Sequence, residues 1–250
     1  MRLVLPLITL TTDFGEGSPY VAAMKAVLLA GCPGATLVDV SHSLPHYDVL
    51  SGAFALWAGT RGFGPGTVHL AVVDPGVGSS RRAVAFAMRG SFYVGPDNGL
   101  FGLVDSELGG STEPRAVELV RPPGASPTFE GRDVFSPAAA ALAAGMPLEQ
   151  VGRPSRASLL PLPLNGPAVL WVDNFGNLVT SLQPPLDALR IGSVLVDRWY
   201  RTFSEAPRGI PFLYEGSMGF VEVGVREGSA ASLLRATSGM PVRIEARRRR

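Results

Sequence analysis

The chain contains almost no cysteine or lysine and few histidines, and these absences narrow its chemistry. Its 250 residues include one cysteine, Cys32, which excludes an internal disulfide framework and a cysteine-cluster zinc site. Lys25 is the only lysine and lies within a predicted helix, so we do not expect a Schiff-base enzyme. The three histidines, His42, His46 and His69, lack the spacing of a zinc-protease motif. Carboxylates, arginines, hydroxyls and the backbone remain, which indicates metal-free catalysis or plain binding.

Long hydrophobic runs and a basic surface are also missing. No segment approaches the length of a membrane span, and Met1–Ile8 lacks a small-residue cleavage site and leads into the first predicted strand. The formal net charge is +1, but Arg247–Arg250 supplies four of the positive charges, so the rest of the chain is net acidic. We interpret this arginine run as a solvated chain end. The sequence therefore predicts a cytoplasmic protein that binds neither membranes nor nucleic acid.

Strand and helix patterns alternate over the first three-fifths of the chain, which favours an α/β fold. The predicted strands are Leu3–Leu10, Thr36–Val40, Val68–Val73, Ala83–Met88 and Phe92–Val94. The predicted helices are Tyr20–Leu29, Val49–Ala58 and Pro137–Ala144, the last with Ser136 as its cap. This pattern predicts a mostly parallel sheet that is flanked by helices.

A proline-rich segment without helical or strand period separates this region from a second one. We predict an N-terminal α/β domain over residues 1–152, a linker over 153–167 and a smaller C-terminal domain over 168–250. The C-terminal region contains short apolar segments that are broken by glycine and proline. Such a pattern favours a small β-barrel or sandwich.

Three apolar, strand-like runs end at an aspartate that is followed by a glycine-containing loop. They end at Asp13, Asp74 and Asp173, and the second continues through a Gly/Pro loop to Arg81. Open α/β sheets place their ligand crevices at the carboxyl ends of strands. One such element is usually structural, whereas three in one chain predict a site for a polar small molecule.

Seven short motifs follow one another along the chain. They are Thr12–Gly15 (TDFG), Asp39–His42 (DVSH), Asp74–Gly78 (DPGVG), Gly95–Gly99 (GPDNG), Gly131–Phe135 (GRDVF), Asp173–Asn177 (DNFGN) and Gly216–Gly219 (GSMG). In this order they resemble the adenosine-forming S-adenosylmethionine hydrolase family, the hydroxide-using relatives of the fluorinase and chlorinase. Each motif is weak alone, but seven in order across the predicted domain boundary are specific, and the likeness covers nearly the whole chain.

The resemblance implies an N-terminal α/β domain, a C-terminal β-barrel and a homotrimer. In such a trimer each site lies between the N-terminal domain of one subunit and the C-terminal domain of its neighbour. The implied reaction is hydrolysis of S-adenosyl-L-methionine to adenosine and L-methionine through in-line attack of water or hydroxide on the ribose C5′. A sulfonium is already an activated leaving group, so the enzyme must mainly desolvate and aim the water, and positioning supplies roughly 7–11 kcal/mol in favourable cases. Neither a metal nor a cofactor is implied.

By motif, the resemblance places Asp74 and Arg81 on two members of the family's Asp–Arg–His set that handles the water. Asp74 would accept a hydrogen bond from the nucleophile, and Arg81 would hold that carboxylate ionised and oriented. The third member is a departure, because Glu130 stands where the family usually has histidine. Glu130 would still hold the water and act as a base if its neighbours raised its pKa. Its negative charge beside Asp74 would alternatively keep one of these two carboxyls protonated. In a further alternative, the substitution weakens turnover. In the purely structural alternative, Asp74 caps its loop and Arg81 or Arg82 makes a surface ion pair.

The resemblance also assigns substrate-binding residues in both predicted domains. Asp13 resembles the carboxylate that accepts hydrogen bonds from the ribose hydroxyls, with capping of a turn as the structural alternative. Tyr47 sits where the halogenating relatives carry a tryptophan on the ribose, and it would shield the sulfonium by cation–π attraction or simply pack. In the C-terminal domain the implied residues are Asp173 for the methionine ammonium, Phe175 for adenine stacking or core packing, Asn177 for the adenine edge, Ser217 for the methionine carboxylate, Glu222 from the final motif, and Val225 for backbone contact with adenine.

Two other functions stay open at the level of sequence. A protein with Glu130 in place of histidine would bind S-adenosylmethionine or adenosine with weak or no turnover. A halide-using transferase is disfavoured, because the halogenating relatives replace the aspartate of the DPGVG loop with tyrosine. Asp74 retains that carboxylate here, and its charge would repel an anionic halide.

Overall fold

The computed structural model describes residues 6–106, 115–155 and 158–246, so Arg247–Arg250 lies outside the described residues. The chain divides into two compact units between Pro163 and Leu164. This division falls within the segment 153–167 that the sequence predicts as a linker. Its first residues belong to a strand, Gly152–Ser155, which pairs with the N-terminal sheet. None of the helices in the described ranges is long and apolar enough to cross a membrane.

The N-terminal unit contains seven strands and five α-helices in the described ranges. The strands are β1 (Leu7–Thr12), β2 (Thr36–Ser41), β3 (Val68–Val72), β4 (Ala83–Met88), β5 (Ser91–Pro96), β6 (Arg115–Leu119) and β7 (Gly152–Ser155). The helices are α1 (Pro19–Gly31), α2 (Val49–Thr60), α3 (Gly102–Ser106), α4 (Ser136–Ala143) and α5 (Leu148–Val151).

The seven strands form one sheet in the order β2-β1-β3-β5-β4-β6-β7. The pairs β2–β1, β1–β3 and β3–β5 are parallel, whereas β5–β4, β4–β6 and β6–β7 are antiparallel. The sheet is therefore mixed, whereas the sequence predicts a mostly parallel sheet. Only Arg89 and Gly90 separate β4 from β5, both with positive φ, and two residues form a hairpin but not a parallel crossover.

This topology brings several loops to one edge of the sheet. Because β4 runs against both of its neighbours, β6 has the same direction as β1, β3 and β5. The carboxyl ends of β1, β3, β5 and β6 and the amino end of β4 therefore share one edge. Asp13 follows β1 and Asp74 follows β3, and these strands are direct neighbours with Thr12 beside Val72.

Helices cover the sheet through short apolar faces. In α1, Ser18 accepts a hydrogen bond from the Tyr20 amide as the N-cap, and Val21, Met24 and Leu28 repeat at helical spacing and are buried. Helix α1 packs against α4. The buried core beneath them includes Ile8, Leu10, Met24, Leu28, Leu70, Val94 and Phe135.

The chain enters α4 through a π-helical turn, Gly131–Phe135. The sequence predicts that Ser136 caps a helix that begins at Pro137, but Ser136 is the first residue of α4 itself. Its hydroxyl donates to the carbonyl of Gly131 at 2.7 Å instead of accepting a helix amide. The wider turn places Glu130 at its start, and π turns often occur where a functional side chain is displayed.

The described part of the C-terminal unit consists mainly of β-strands, as the sequence predicts, and the strands of its two sheets pair antiparallel. These are β8 (Val169–Val172), β9 (Leu178–Thr180), β10 (Ala188–Ile191), β11 (Val194–Val196), β12 (Pro211–Glu215), β13 (Val221–Val225) and β14 (Val242–Glu245), with one helix, α6 (Ala230–Leu234). They form a three-stranded sheet β11-β10-β14 and a four-stranded sheet β12-β13-β9-β8. A core that includes Leu189, Leu213, Val221 and Val223 lies within this unit. Closure into a barrel stays a prediction.

Candidate active site

A carboxylate and a guanidinium meet at the end of β3. The Nε of Arg81 donates to both Asp74 oxygens, at 2.9 Å and 3.1 Å, and its Nη2 donates to Asp74 Oδ2. The Gly76 amide also donates to Asp74 Oδ1, at 3.2 Å. Both side chains are more than 90% buried. The pair is thus a buried, bidentate ion pair rather than a surface contact.

Glu130 extends this pair into a larger cluster. Its Oε2 accepts from the same Arg81 Nη2, and its Oε1 accepts from Arg121 Nε at 2.5 Å. The second guanidinium is itself held, because Arg121 Nη2 donates to the backbone oxygen of Arg81 at 3.0 Å. Glu130 is 2% exposed. The structure therefore brings the three predicted catalytic residues together and adds Arg121 as a fourth member.

The charges of this cluster balance each other. Burial alone would lower the pKa of Arg81, but hydrogen bonds and charge interactions with Asp74 and Glu130 outweigh it and raise that pKa. Arg81 is consequently a permanent cation between two carboxylates. Its Nη1 has no hydrogen-bond partner within the described part of the chain, which leaves one buried donor for a further group.

The neighbouring arginine serves a different carboxylate. Arg82 pairs with the buried Asp97 after β5, and its guanidinium also donates to the Ser158 carbonyl at 2.6 Å. Asp97 accepts the Leu160 amide at 2.8 Å. These contacts fasten the segment after β7 to the sheet. Arg81, and not Arg82, is therefore the partner of Asp74.

Asp13 lies at the end of β1, on the same edge as Asp74. The Tyr47 amide donates to Asp13 Oδ2 at 2.7 Å, and Tyr47 has a φ of 63°, a left-handed conformation that carries this amide toward the carboxylate. His46 contacts the Asp13 carbonyl through Nδ1 at 2.9 Å. Asp48 then caps α2 by accepting from the Ser51 amide. The start of α2 is thus tied to the end of β1.

These side chains open onto one cavity, here called the N-terminal cavity, of about 240 Å³. Its walls are Asp13, Phe14, Tyr20, His46, Tyr47, Val72, Asp74, Val77, Thr128, Phe129, Glu130 and Gly131. Three of the rings, Phe14, Tyr20 and Phe129, contact one another edge to face at centroid distances of 5.1–6.2 Å. The cavity therefore combines an aromatic wall with three carboxylates. Tyr47 is 69% exposed at its rim.

In the C-terminal unit, Asp173 organises the loop between β8 and β9. Its Oδ1 accepts the amides of Phe175 and Asn177 at 2.9 Å and 2.8 Å, and its Oδ2 accepts from Asn177 Nδ2 at 2.8 Å. Gly176 has a φ of 82°, and an added Cβ would lie 2.0 Å from Ser229 Oγ. Only glycine fits there. The loop leaves the Phe175 ring 80% exposed and Asn177 buried.

Glu222 stands directly across from Tyr214 on β13 and β12. The Tyr214 hydroxyl donates to Glu222 Oε2 at 2.5 Å. Burial raises the pKa of Glu222, and the nearby charge of Asp173 adds to that rise, although the bond from Tyr214 opposes it. A Cβ at Gly216 would lie 1.8 Å from Glu222 Oε1, so the glycine of the GSMG motif makes room for this carboxyl.

A second cavity, here called the C-terminal cavity, has a volume of about 650 Å³. Its walls are Asp173, Phe175, Asn177, Phe203, Tyr214, Ser217, Glu222, Val225, Glu227 and Gly228. All six residues that the sequence predicts for substrate binding in this unit line it. The sequence did not single out Phe203 and Tyr214, whose rings are 5.2 Å apart.

The remaining histidines lie in the structural framework. His42 is buried, with Nδ1 2.8 Å from Thr12 Oγ1 and Nε2 3.0 Å from Asp39 Oδ1. His69 is buried on β3 beside Thr9, and burial lowers its pKa to about 4. Among residues 6–106, 115–155 and 158–246, no group of three or more histidine, cysteine or acidic side chains is placed to hold a metal ion.

Comparison with known families agrees with this arrangement in both units. Residues 8–152 match the model of the SAM hydroxide adenosyltransferase N-terminal domain, where SAM is S-adenosylmethionine. Residues 167–243 match the C-terminal domain model of the same family. The chain belongs to the SAM hydroxide adenosyltransferase family. The resemblance that the seven motifs indicate is thereby confirmed.

Individual members of the SAM hydroxide adenosyltransferase family and its relatives match over almost their full length. A protein of Thermus thermophilus named (R)-S-adenosyl-L-methionine hydrolase is 44% identical over 253 residues, which cover 93% of this chain and 97% of that protein. A fluorinase of Actinopolyspora mzabensis is 29% identical over 96% of this chain and 97% of its own length. An uncharacterised conserved protein of Thermotoga maritima has a crystal structure that matches with a TM-score of 0.84, at 31% identity over 96% of this chain and 100% of that one.

Sequence reasoning about the SAM hydroxide adenosyltransferase motifs missed Arg121, which lies outside all seven. A signal was present in the pattern of its segment. The strand β6 ends at Leu119, and Arg121-Pro122-Pro123-Gly124 follows, so a charged residue again comes after a strand and before a turn. The sequence analysis does not predict β6. Without the direction of that strand, nothing indicates that Arg121 lies at the same edge of the sheet as Asp13 and Asp74.

Proposed function

We propose that this protein hydrolyses (R)-S-adenosyl-L-methionine to adenosine and L-methionine. The observation that carries the proposal is the buried Asp74–Arg81–Glu130 cluster, whose two carboxylates line the N-terminal cavity, in a chain of the SAM hydroxide adenosyltransferase family. The relatives that share 41–44% of its residues are named as hydrolases of this compound.

In the proposed step, the oxygen of water forms a bond to the ribose C5′ as the bond from C5′ to sulfur breaks. Sulfur keeps the electron pair and leaves as the neutral thioether of methionine, so no acid is needed to protonate it. The proton of the water passes first toward Asp74 and then to solvent. Arg81 fixes the orientation of Asp74 and stabilises the hydroxide character of the nucleophile.

Binding of the substrate is proposed to use both cavities. One oxygen of Asp13 is held by the Tyr47 amide, and the carboxylate keeps acceptor capacity for the two ribose hydroxyls. In the C-terminal cavity, Asn177 and Phe175 would contact adenine, with Val225 supplying backbone contact. Asp173 and Ser217 would hold the ammonium and carboxylate of the methionine, and Glu222 would add negative charge near the cationic ligand.

The deciding experiment is incubation of the purified protein with each sulfonium epimer of S-adenosyl-L-methionine in oxygen-18 water. We expect adenosine labelled at its 5′ oxygen, formed preferentially from the R epimer, because a pyramidal sulfonium presents its methyl group differently in each epimer. Binding of both epimers without adenosine would contradict hydrolysis and favour a nucleoside-binding protein. Preference for the S epimer would contradict the proposed stereochemistry alone.

The chemistry of a sulfonium leaving group requires no Lewis acid, and we propose that the enzyme needs neither a metal nor an organic cofactor. Dialysis against a chelator is expected to leave the rate of adenosine formation unchanged. A loss of activity that zinc or magnesium restores would contradict this part of the proposal. The cytoplasmic location stays a prediction.

We further propose that the protein is a homotrimer in which each site combines the N-terminal cavity of one subunit with the C-terminal cavity of its neighbour. The support is the resemblance of the motifs in both units to the family. Co-expression of Asp74→Asn and Asp173→Ala chains tests it, because mixed trimers would regain intact sites. Random mixing predicts about a quarter of the wild-type activity. No recovery in verified mixed oligomers would contradict a shared site.

A halide-using reaction finds no support at the cavity. Asp74 and Glu130 both face it as carboxylates, and an anionic halide would be repelled. Chloride or fluoride added to the hydrolysis assay is expected to yield no halogenated nucleoside.

A further inference from the structure

We propose that Arg121 is a positioning residue that holds Glu130 as the anchor of Arg81. On this proposal Glu130 does not take the proton of the attacking water. The inference rests on the proposed hydrolysis and deepens it, because it separates the role of Glu130 from that of Asp74.

The contacts of Glu130 commit both of its oxygens to guanidinium groups. Arg81 Nη2 donates to Oε2, and Arg121 Nε donates to Oε1 at 2.5 Å. Arg121 is fixed in turn by its bond to the Arg81 carbonyl at 3.0 Å. Both Asp74 oxygens are bonded as well, so occupied oxygens alone do not exclude a base. The difference is that the described contacts of Asp74 include one guanidinium, that of Arg81, whereas Glu130 joins two. A carboxylate that bridges Arg81 and Arg121 fixes the geometry of the guanidinium that orients Asp74.

Charge balance supports the same assignment. Asp74 and Glu130 would repel each other, but Arg81 and Arg121 offset both negative charges within the buried cluster. Without Arg121 the cluster would carry one uncompensated buried negative charge. The other ionisable groups on the wall of the N-terminal cavity are Asp13, Tyr20, His46 and Tyr47.

Replacing Arg121 by glutamine distinguishes the two roles of Glu130, anchor and base, because the two roles predict opposite changes in the maximal kcat. If Glu130 is an anchor, Arg121→Gln loosens it and lowers the maximal kcat by on the order of tenfold, because misplacement of a reacting geometry is costly. The acidic limb of the pH profile then moves to higher pH, because a cation that faces Glu130 is lost. If Glu130 were the base, loss of the neighbouring cation would strengthen it, and the maximal kcat would rise or stay constant.

The test compares four variants by their kcat and KM profiles against pH. Arg121→Lys keeps the charge but loses the fork that reaches both Glu130 and the Arg81 carbonyl, so it is expected to lose less rate than Arg121→Gln and to keep the acidic limb in place. Arg190→Gln is the matched control, because Arg190 is also 36% exposed and also pairs through Nε with a glutamate, Glu245, at 2.7 Å, but in the C-terminal unit. This control is expected to leave the pH profile unchanged.

The fourth variant, Glu130→Gln, tests the anchor directly. An amide still accepts a bond from Arg81, so an anchor predicts measurable turnover, whereas a base predicts a rate near background. Combining it with Arg121→Gln removes both unlike charges, and the double variant is expected to lose less than the sum of the single losses. Additive losses would contradict coupling between the two residues.

A spectroscopic readout keeps the inference separate from the proposed hydrolysis. Carbon-13 labelling of glutamate carboxyls, with the Glu130 signal assigned from its disappearance in Glu130→Gln, follows the environment of this carboxyl without turnover. We expect the Glu130 signal to move in Arg121→Gln, because the guanidinium contact at Oε1 is lost, and to stay in place in Arg190→Gln. An unchanged Glu130 signal together with an unchanged pH profile would overturn the role of Arg121 while leaving hydrolysis intact. A wild-type protein that forms no adenosine would overturn the proposed function, and the positioning role in catalysis would fall with it.

Discussion

The two cavities of this protein hold their carboxylates with different partners. On the N-terminal cavity the buried carboxylates Asp74 and Glu130 are matched by the guanidinium groups of Arg81 and Arg121. On the C-terminal cavity Glu227 pairs with Arg208 at 3.0 Å, but Asp173 and Glu222 accept their bonds from neutral donors, which are backbone amides, Asn177 and Tyr214. The Asp74–Glu130 cluster is therefore held by cations, whereas the larger C-terminal cavity holds two carboxylates through neutral groups.

The difference indicates a division of labour. A balanced, hydrogen-bonded cluster is rigid and orients a reacting group, because each charge is held by several partners. Carboxylates that are held by neutral donors, as Asp173 and Glu222 are, attract a cation and recognise it mainly through complementarity. The proposed substrate carries a sulfonium and an ammonium, which suit such carboxylates. Mutations in the two regions should consequently affect different kinetic parameters.

The largest effect is expected from Asp74→Asn. The amide keeps the size of the side chain but cannot accept the proton or form the same ion pair with Arg81, so kcat should fall by about 10²–10⁴-fold with little change in substrate affinity. Adenosine formation and equilibrium binding measure the two quantities. Asp97→Asn is the matched control, because Asp97 is equally buried at the end of a neighbouring strand and also pairs with an arginine.

The control variant should lose thermal stability but keep kcat. Equal losses of kcat in Asp74→Asn and Asp97→Asn would show that the N-terminal cluster acts only through stability, and the proposed division between the two cavities would then fail.

A smaller effect, of a different kind, is expected from Asn177→Ala in the C-terminal cavity. This change removes the proposed contact with adenine and one bond to Asp173, so KM should rise by on the order of 10- to 100-fold while kcat changes little. Steady-state kinetics measures both. Asn165→Ala provides the control, because Asn165 lies at an exposed position shortly before β8, and it should leave both parameters unchanged. A loss confined to kcat would place Asn177 with the reacting groups.

The smallest effect is expected from Glu222→Gln and concerns stability against pH. The pKa of Glu222 is raised in the folded protein by burial, so the folded state binds its proton more tightly than the unfolded state does. The unfolding free energy therefore falls as pH rises from the unfolded pKa of about 4.5 through the higher folded value. Replacement by glutamine should raise Tm by about 2–4 °C at pH 7.5 and leave it unchanged near pH 4.

Thermal melts at both pH values check this expectation, and they compare the two cavities directly. The same charge-neutralising change at Glu130 should lower Tm at pH 7.5, because Arg81 and Arg121 would lose their partner. A gain of stability in Glu130→Gln would show that the N-terminal cluster is not balanced.

Most of the candidate site was predictable because its residues lie in short motifs at strand ends. Asp13, Asp74 and Asp173 each follow an apolar run, and the structure places the first two on one edge and the third at the C-terminal cavity. The choice between Arg81 and Arg82 was not predictable from spacing. It depends on side-chain directions at the amino end of β4, where successive residues point to opposite faces.

Arg121 illustrates a second limit. Arg121 and Glu130 are nine residues apart in the chain. Their contact depends on the direction of β6, because β6 pairs antiparallel with β4 and its carboxyl end therefore lies at the edge of the sheet that holds the site. The mixed character of the sheet is the decisive fact here. The sequence contains one signal for the antiparallel pairing of β4 and β5. The spacer Arg89-Gly90 between them is long enough for a hairpin but too short for a parallel crossover.

The sequence by itself determined the family, the two-part organisation and the types of residue at each strand end, because these depend on local order along the chain. The tertiary structure alone decided which charges balance one another. Ion pairs such as Arg121 with Glu130 form between segments whose proximity follows from strand direction and sheet order. Pairing of buried charges is a property of distance in space, and the one-dimensional pattern contains no measure of that distance.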